Sequence, residues 1–516
     1  MNSSSQQNQA LPKSCIVGVI GAGTMGAGIA QVAANSAHTV ILFDQSQEAV
    51  QRGLEFISSG LQRQVKRGKL TEPQRQSILD RIRPVTEIDA LADCGLVIEA
   101  IVENLKIKQG LLAELEALCA SDCILASNTS SISITALAAQ MSHPERLVGM
   151  HFFNPAPVMK LVEVISGIAT APQVAHQVHA TATEWGKLAV HAKSSPGFIV
   201  NRVARPFYAE ALRIVEEGAT DIATLDALVR EAGGFRMGPF ELMDLIGHDI
   251  NYSVTCSVFE AYYQDPRFLP SLLQKALVDS GRLGRKSGQG FYSYADGAET
   301  VTPDDNLPSY AAPASIKVYG DLGVAEPLIE RAASAGISVE CLPIDGQEAF
   351  IEIGTVRLFL TDGRFAAERA ATTRHANLAV FDLARDYSTS KRLAVAFADQ
   401  SDDETRQATI GLFQALGITI SILDDIPGLV LMRTVAMLAN EACDAVNQGV
   451  CSVADADRAM IGGVNYPLGP LAWSDQIGTS SVFNCLNNLQ QSYGEDRYRP
   501  SPLLRRMHFS GSRFHD

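Results

Sequence analysis

His151, Glu163, Ser130 and Asn201 are of the types that could together take a proton from a secondary alcohol. Oxidising such an alcohol needs a base for the hydroxyl proton while the hydride leaves, and histidine suits the task because its free pKa lies near neutrality. His151 follows the apolar run Leu147 to Met150, where a strand would end. Open parallel sheets bind their ligands at such strand ends. Glu163 lies in the next apolar run, KLVEVI, and a carboxylate there should be paired, since burying it alone is costly. As a partner it would orient an imidazole and hold its positive charge, as in the His–carboxylate half of a Ser-His-Asp triad. Ser130, in SNTSS, and Asn201, in PGFIVNR, are neutral groups able to aim a hydroxyl and a nearby carbonyl. Each residue also has a plainer reading: a satisfied core or surface histidine, a serine-rich turn, an asparagine helix cap.

The hydride acceptor is indicated by residues 16–44, IVGVIGAGTMGAGIAQVAANSAHTVILFD. An apolar strand runs into Gly21-Ala22-Gly23-Thr24-Met25-Gly26, a small-residue helix follows, and a second apolar strand ends on Asp44. Gly21 permits the tight turn, Gly23 lets the backbone approach a pyrophosphate, and Gly26 lets the helix pack close. The free N–H groups and dipole at the helix start, at Thr24 and Met25, suit phosphates. Asp44, 23 residues past Gly21, would bind the adenosine ribose and repel a 2′-phosphate. The cofactor expected is NAD.

Those side chains have to be positioned by a chain of 516 residues, which the usual domain size divides into roughly three or four parts. A content of 46% hydrophobic and 19% charged residues is that of a globular protein. No run of about 18 apolar residues occurs, so no membrane partner is expected. The polar start, MNSSSQQNQALPK, lacks the apolar core of a secretory signal and reads as a disordered tail, residues 1–13. Nine scattered cysteines without paired metal spacing fit a reduced, cytoplasmic protein, and no metal ligands are assigned. The net charge of −15 argues against a nucleic-acid partner. An anionic cofactor or substrate therefore needs a local basic patch, and Arg52, Arg63, Lys66, Arg67 and Lys69 supply one at helical spacing, unless they are only a solvated face.

The chain also repeats itself. Residues 196–247, PGFIVNR to MGPFELMDLIG, align without a gap on 427–478, PGLVLMR to LGPLAWSDQIG, at an offset of 231 with 14 identities. Both windows have helical periodicity and Gly-Pro punctuation. Between them, Ser315 to Glu340 again reads strand, glycine turn, helix, strand, but no acid stands in Asp44's place. The organisation expected is a tail (1–13), a Rossmann-type α/β NAD domain (14–194) and an all-α helical domain (195–295). A linker (296–314), a degenerate, shortened α/β segment (315–420) and a second helical copy (421–516) follow.

GAGTMGAGIA, SNTSS, HFFNPAPVMKLVEV, PGFIVNR and MGPFELMDLIG, in this order, resemble the L-3-hydroxyacyl-CoA dehydrogenase family over residues 14–294. The resemblance implies that His151 and Glu163 form a catalytic dyad completed by Ser130 and Asn201, acting on an acyl-CoA. It places Glu103, Lys108 and Asn128 near the NAD, with Lys286, in GRKSGQGFY, closing that site. It puts CoA contacts around residues 60–69, with Arg67 the best single choice. It further implies that the second helical copy packs on the first as an internal pseudo-dimer, leaving self-association into a homo-oligomer open. Met432 stands at the counterpart of Asn201, so the second half should be catalytically silent. Long, duplicated members resemble the 3-hydroxyadipyl-CoA dehydrogenases of phenylacetate catabolism and also the bacterial 3-hydroxybutyryl-CoA dehydrogenases of fatty-acid and butyrate metabolism. A distal carboxylate would call for a buried arginine, and Arg236 and Arg205 are the candidates. The remaining alternatives are a non-catalytic NAD-binding structural protein and one part of a multifunctional β-oxidation enzyme. No hydratase-like region precedes Cys15, so dehydrogenation alone is expected.

Overall fold

The run VGVI forms strand β1 (Val17–Ile20), buried at every position, as expected of a strand covered on both faces. It lies inside an eight-stranded sheet with β2 (Val40–Phe43), β3 (Ile82–Val85), β4 (Leu96–Glu99), β5 (Ile124–Ser127), β6 (Leu147–Phe152), β7 (Leu161–Ser166) and β8 (Leu188–Lys193). The order is β3-β2-β1-β4-β5-β6-β7-β8, and every neighbouring pair is parallel except β6 and β7. The order reverses at β1, the switch point where such sheets open a ligand crevice. Helix α1 (Thr24–Asn35) buries Ala27, Ile29, Ala30, Ala33 and Ala34. Helix α2 (Gln47–Lys66) starts where the Ser46 hydroxyl accepts the Ala49 N–H. It buries Val50, Gly53, Ile57 and Leu61 at helical spacing, which leaves Arg52, Arg63, Lys66, Arg67 and Lys69 exposed.

This computed structural model describes residues 9–299, 301–344 and 348–516. It divides into a first unit, residues up to Arg202 with Gln448–Val464, and a second, Val203–Asn447 with Asn465–Asp516. Both differ from the division expected at 194/195 and 420/421. The helix Val453–Val464 belongs to the first unit because Gly462 and Gly463 let it lie against Leu161, Leu188 and Val200. The expected tail also ends sooner: Leu11 is buried in the sheet's core and its N–H donates to Thr181 at 3.0 Å. Residues 1–8 lie outside the described residues. No described helix is long and apolar enough to cross a membrane.

The second unit holds a seven-stranded sheet: β9 (Ser315–Tyr319), β10 (Ser338–Leu342), β11 (Phe350–Ile353), β12 (Val356–Leu360), β13 (Leu378–Phe381), β14 (Arg392–Phe397) and β15 (Thr419–Ile422). The order is β10-β9-β11-β12-β13-β14-β15. The strand–helix–strand reading of Ser315 to Glu340 corresponds to β9, the helix Pro327–Ser334 and β10, paired in parallel. Where the first sheet continues in parallel from β1 to β4, this one inserts an antiparallel hairpin, β11–β12. The segment expected as a linker is pinned down: Asp305 accepts two hydrogen bonds from Arg392, at 2.6 and 2.7 Å, and the Gln414 side chain takes the Tyr310 N–H.

At the unit's centre, helix Leu431–Asn447 is buried from Leu431 to Ala445 and packs on helix Arg205–Glu216. Arg433, fully buried, joins the two by donating to Glu210 at 2.8 Å and to the hydroxyls of Tyr493 and Tyr498, each at 2.8 Å. Burial pushes the Glu210 carboxyl upward, but Arg433 and Arg497 outweigh it and hold it below its ordinary value. Removing one partner of such a pair strands the other charge, at a cost of about 3–5 kcal/mol. Arg433→Met should therefore lower the stability of this unit by about that much in urea unfolding. A loss under about 1 kcal/mol would show that Glu210 does not depend on it.

Candidate active site

The antiparallel register of β6 and β7 sets His151 directly across from Glu163. His151 Nδ1 lies 2.7 Å from Glu163 Oε2, with both side chains buried. The other carboxylate oxygen, Oε1, accepts the N–H groups of Ile199 and Val200, each at 3.0 Å. One carboxylate thus fixes the imidazole and satisfies the first N–H groups of the turn Val200–Val203, which carries Asn201. The His151 ring rests against Phe153 and Phe198, with centroids at 4.6 and 5.9 Å. With Nδ1 committed, Nε2 is the nitrogen left for a substrate.

Ser130 sits in the loop after β5, the parallel neighbour of β6, so it shares the strand-end region of His151. That loop is held by Glu103, whose Oε1 accepts from the Thr129 hydroxyl at 2.6 Å and from the Ser130 and Ser131 N–H groups at 3.0 and 3.1 Å. Burial raises the Glu103 carboxyl, yet these bonds and the Lys108 ammonium hold it below its ordinary value. Asn128 accepts the Phe152 N–H at 2.8 Å, tying the loop to β6 next to His151. The Lys108 ammonium is buried, bonded to Glu99 at 2.8 and 2.9 Å and paired with Glu103 at 3.3 Å. Ser127 donates to the same Glu99. Sequence reasoning missed Glu99 and Ser127; the available signal was an acid closing the apolar strand LVIE nine residues before a lysine.

The glycine turn has the geometry its spacing demands. Gly21 stands at φ +95°, where a Cβ would meet the Ala100 carbonyl at 2.7 Å, and a Cβ on Gly26 would fall 1.7 Å from the Gly21 oxygen. Nothing lies within 4 Å of where a Gly23 Cβ would be. The space before the first turn of α1 is therefore open, and its N–H groups, at Thr24, Met25 and Gly26, have no side-chain cap. Asp44 caps the neighbouring backbone, accepting from Ala22 at 2.9 Å and Ser46 at 3.0 Å. It lines a cavity of about 580 Å³ with Gly21, Gly23, Phe43, Ile101 and Ile107. A glycine turn, free helix donors and an acid at the next strand end fit a dinucleotide.

Arg67 closes α2 and is exposed. Lys286, in the second unit, is ion-paired with Asp249 at 2.5 Å. Arg236 is exposed and so lacks the burial on which its candidacy rested, whereas Arg205 is buried.

Three family models match the chain: the 3-hydroxyacyl-CoA dehydrogenase NAD-binding domain over residues 16–195, the C-terminal domain of the same family over 197–294 and again over 428–512, and the 3-hydroxybutyryl-CoA dehydrogenase reduced Rossmann-fold domain over 358–427. The chain is 45% identical over 489 residues, 95% of its length and 96% of the relative's, to a 3-hydroxyadipyl-CoA dehydrogenase of Escherichia coli K12. A solved 3-hydroxybutyryl-CoA dehydrogenase of Escherichia coli K12 matches with a TM-score of 0.87 and 45% identity, covering 96% of this chain and 99% of that one. A probable 3-hydroxybutyryl-CoA dehydrogenase of Deinococcus radiodurans is 44% identical over 281 residues, 54% of this chain and 99% of its own.

Removing the acid at the end of β2 should weaken NAD more than NADP. For Asp44→Ala, loss of a charged hydrogen-bond acceptor, about 1.5–3 kcal/mol, should raise the NAD Kd roughly ten- to hundredfold in a fluorescence titration while the NAD-to-NADP preference falls. An unchanged preference would remove Asp44 from ribose recognition.

Proposed function

The chain belongs to the 3-hydroxyacyl-CoA dehydrogenase family, and on that premise we propose that it uses the His151–Glu163 pair to oxidise 3-hydroxyadipyl-CoA to its 3-oxo thioester. It is an NAD-dependent 3-hydroxyacyl-CoA dehydrogenase. The single observation that carries the reading is the Glu163 carboxylate, bound through one oxygen to His151 and through the other to two backbone N–H groups. His151 Nε2 removes the substrate hydroxyl proton, and Glu163 stabilises the imidazolium that results. Ser130 and Asn201 aim the hydroxyl and the thioester carbonyl. NAD, when bound, would accept the hydride that leaves the substrate's C3; Gly21, Gly23, Thr24, Met25, Gly26 and Asp44 would hold it, with Glu103, Lys108 and Asn128 shaping the adjoining loop and Lys286 assigned by family resemblance. Arg67 meets the CoA phosphates from the basic face of α2.

The choice of the adipyl substrate rests on the relative that matches nearly the whole chain. The second reading, 3-hydroxybutyryl-CoA, is favoured by the name of the solved protein with the same coverage.

The second half reads as a duplicate in which this chemistry is gone. Leu147, Leu161 and Leu188 begin β6, β7 and β8, and Leu378, Arg392 and Thr419 begin β13, β14 and β15, each 231 residues on. The pairing pattern from β5 to β8 (parallel, antiparallel, parallel) returns from β12 to β15. The Lys193 N–H donates to the Val450 carbonyl at 2.8 Å, and at the same offset the Asp424 N–H donates to Ala219 at 3.1 Å. Such reciprocal contacts support an internal pseudo-dimer of the helical copies. His151 and Glu163 have Asp382 and Ala394 as counterparts. Asp382 accepts the N–H groups of Val430, Leu431 and Met432 by itself, so the turn keeps a carboxylate cap without an imidazole.

A general base contributes about 10²–10⁴-fold. His151→Ala should lower kcat by that order with an unchanged circular dichroism spectrum, and an unchanged kcat would remove His151 from the mechanism. In the same NADH-formation assay, the wild-type chain should show the higher kcat/KM for 3-hydroxyadipyl-CoA. Preference for 3-hydroxybutyryl-CoA would install the second reading.

A further inference from the structure

Arg205 opens helix Arg205–Glu216 and is 5% exposed. One guanidinium nitrogen, Nη1, donates to the Thr255 hydroxyl at 3.0 Å, and the group lies 4.9 Å over the Tyr208 ring. The buried Nε has no partner among the described residues, and neither has Nη2. Among the described residues the ionisable groups that face it are two phenols, Tyr208 and Tyr466, and no carboxylate. A guanidinium stays charged in a protein, and an isolated buried charge is costly.

The same helix start lines a cavity of about 240 Å³ in the second unit. Three other arginines border it, and each has an acid: Arg267 has Asp265 and Asp444, Arg213 has Glu495, and Arg497 has Glu210 at 3.8 Å. The acid on the wall, Glu216, accepts from Ser271 and from the Leu273 N–H. Arg205 is therefore the cation of this cavity that still lacks a counter-charge. Leu212, Phe268, Leu269 and Leu272 supply apolar wall, and Leu269 and Leu272 are 50% and 81% exposed at its rim. The counterpart helix forms without an arginine at this place. At the offset of 231, Arg205, Tyr208 and Thr255 become Ala436, Ala439 and Leu486, and helix Leu431–Asn447 is buried all the same.

We propose that this cavity is a binding site for a carboxylate carried on a short apolar chain, with Arg205 taking the carboxylate through its free guanidinium edge. A two-point contact with a planar carboxylate suits arginine, and the leucines and Phe268 receive the methylenes. Such a group has two sources: the distal end of a dicarboxylic acyl substrate, which rests on the adipyl reading above, or a separate small acid, which does not.

Hexanoate is the probe, 1-hexanol its uncharged control, and Arg205→Met the variant that keeps length and removes charge. Calorimetric titration of the full chain should find hexanoate bound at millimolar concentration, at least tenfold more weakly by the variant, with no binding of 1-hexanol. Absent binding, or equal binding by both proteins, overturns the site. The unliganded variant should unfold at the same temperature as the wild type or higher, because it loses an uncompensated charge; a lower midpoint makes Arg205 structural and also overturns the site. The source then follows from kinetics. A tenfold rise in KM for 3-hydroxyadipyl-CoA, without one for 3-hydroxyhexanoyl-CoA, assigns the site to the substrate's own tail. Unchanged KM values alongside lost hexanoate binding assign it to a separate acid, leaving the dehydrogenase reading untouched.

Discussion

The Glu163 carboxylate is the constraint on which the site depends, because it holds the backbone and the His151 imidazole at once. Chain leaving the first sheet passes through Gly197 at φ +73° and Phe198 at φ +48° before the turn Val200–Val203 begins. A non-glycine residue with positive φ persists only where its surroundings hold it, and the buried N–H groups that follow need an acceptor. Glu163 Oε1 is that acceptor for Ile199 and Val200. The same contact holds the carboxylate still, so Oε2 meets His151 Nδ1 at a fixed place and angle. The position of the imidazole thus follows from how the chain turns.

The second sheet separates the two demands. Gly428 at φ +76° and Leu429 at φ +51° repeat the strained turn, and Asp382 caps the chain beyond it with a carboxylate that burial pushes up to about 6. The acid comes from the strand position of His151 rather than that of Glu163, so capping consumes the site where an imidazole would stand. Both turns keep a carboxylate cap, and only the first has an imidazole against it. The two roles are separable, since an uncapped buried N–H destabilises the fold itself whereas the imidazole serves no backbone group.

Much of this was legible in the residues. The glycine spacing and Asp44 determine a strand, turn and strand, and the two apolar runs bearing His151 and Glu163 pair as the need to neutralise a buried carboxylate requires. What the sequence hid were contacts between distant segments. Glu99, Ser127 and Lys108 meet because β4 and β5 are neighbours, which no local pattern states. Leu11 is buried by an apolar slot on the first unit, although the polar residues around it read as a tail. The helix Val453–Val464 leaves its sequence neighbours because two glycines permit close approach to β7 and β8, and domain boundaries drawn from composition do not register such packing.

Buried arginines give the second unit a further contrast. Arg433 and Arg205 both lie on central helices and both lose their hydration on folding. Arg433 recovers it from Glu210 and two tyrosines, a closed set in which removing any member strands another. Arg205 has one hydroxyl and one ring, an open set beside a cavity. With a net charge of −15, the overall field of this chain repels a carboxylate. A desolvated cation that has not been neutralised from within offsets that repulsion at one place, because attraction grows as the local dielectric falls. The overall acidity of the chain and the unpaired guanidinium of this cavity thus act together, the first disfavouring anions at a distance and the second admitting those whose apolar body lets them reach it.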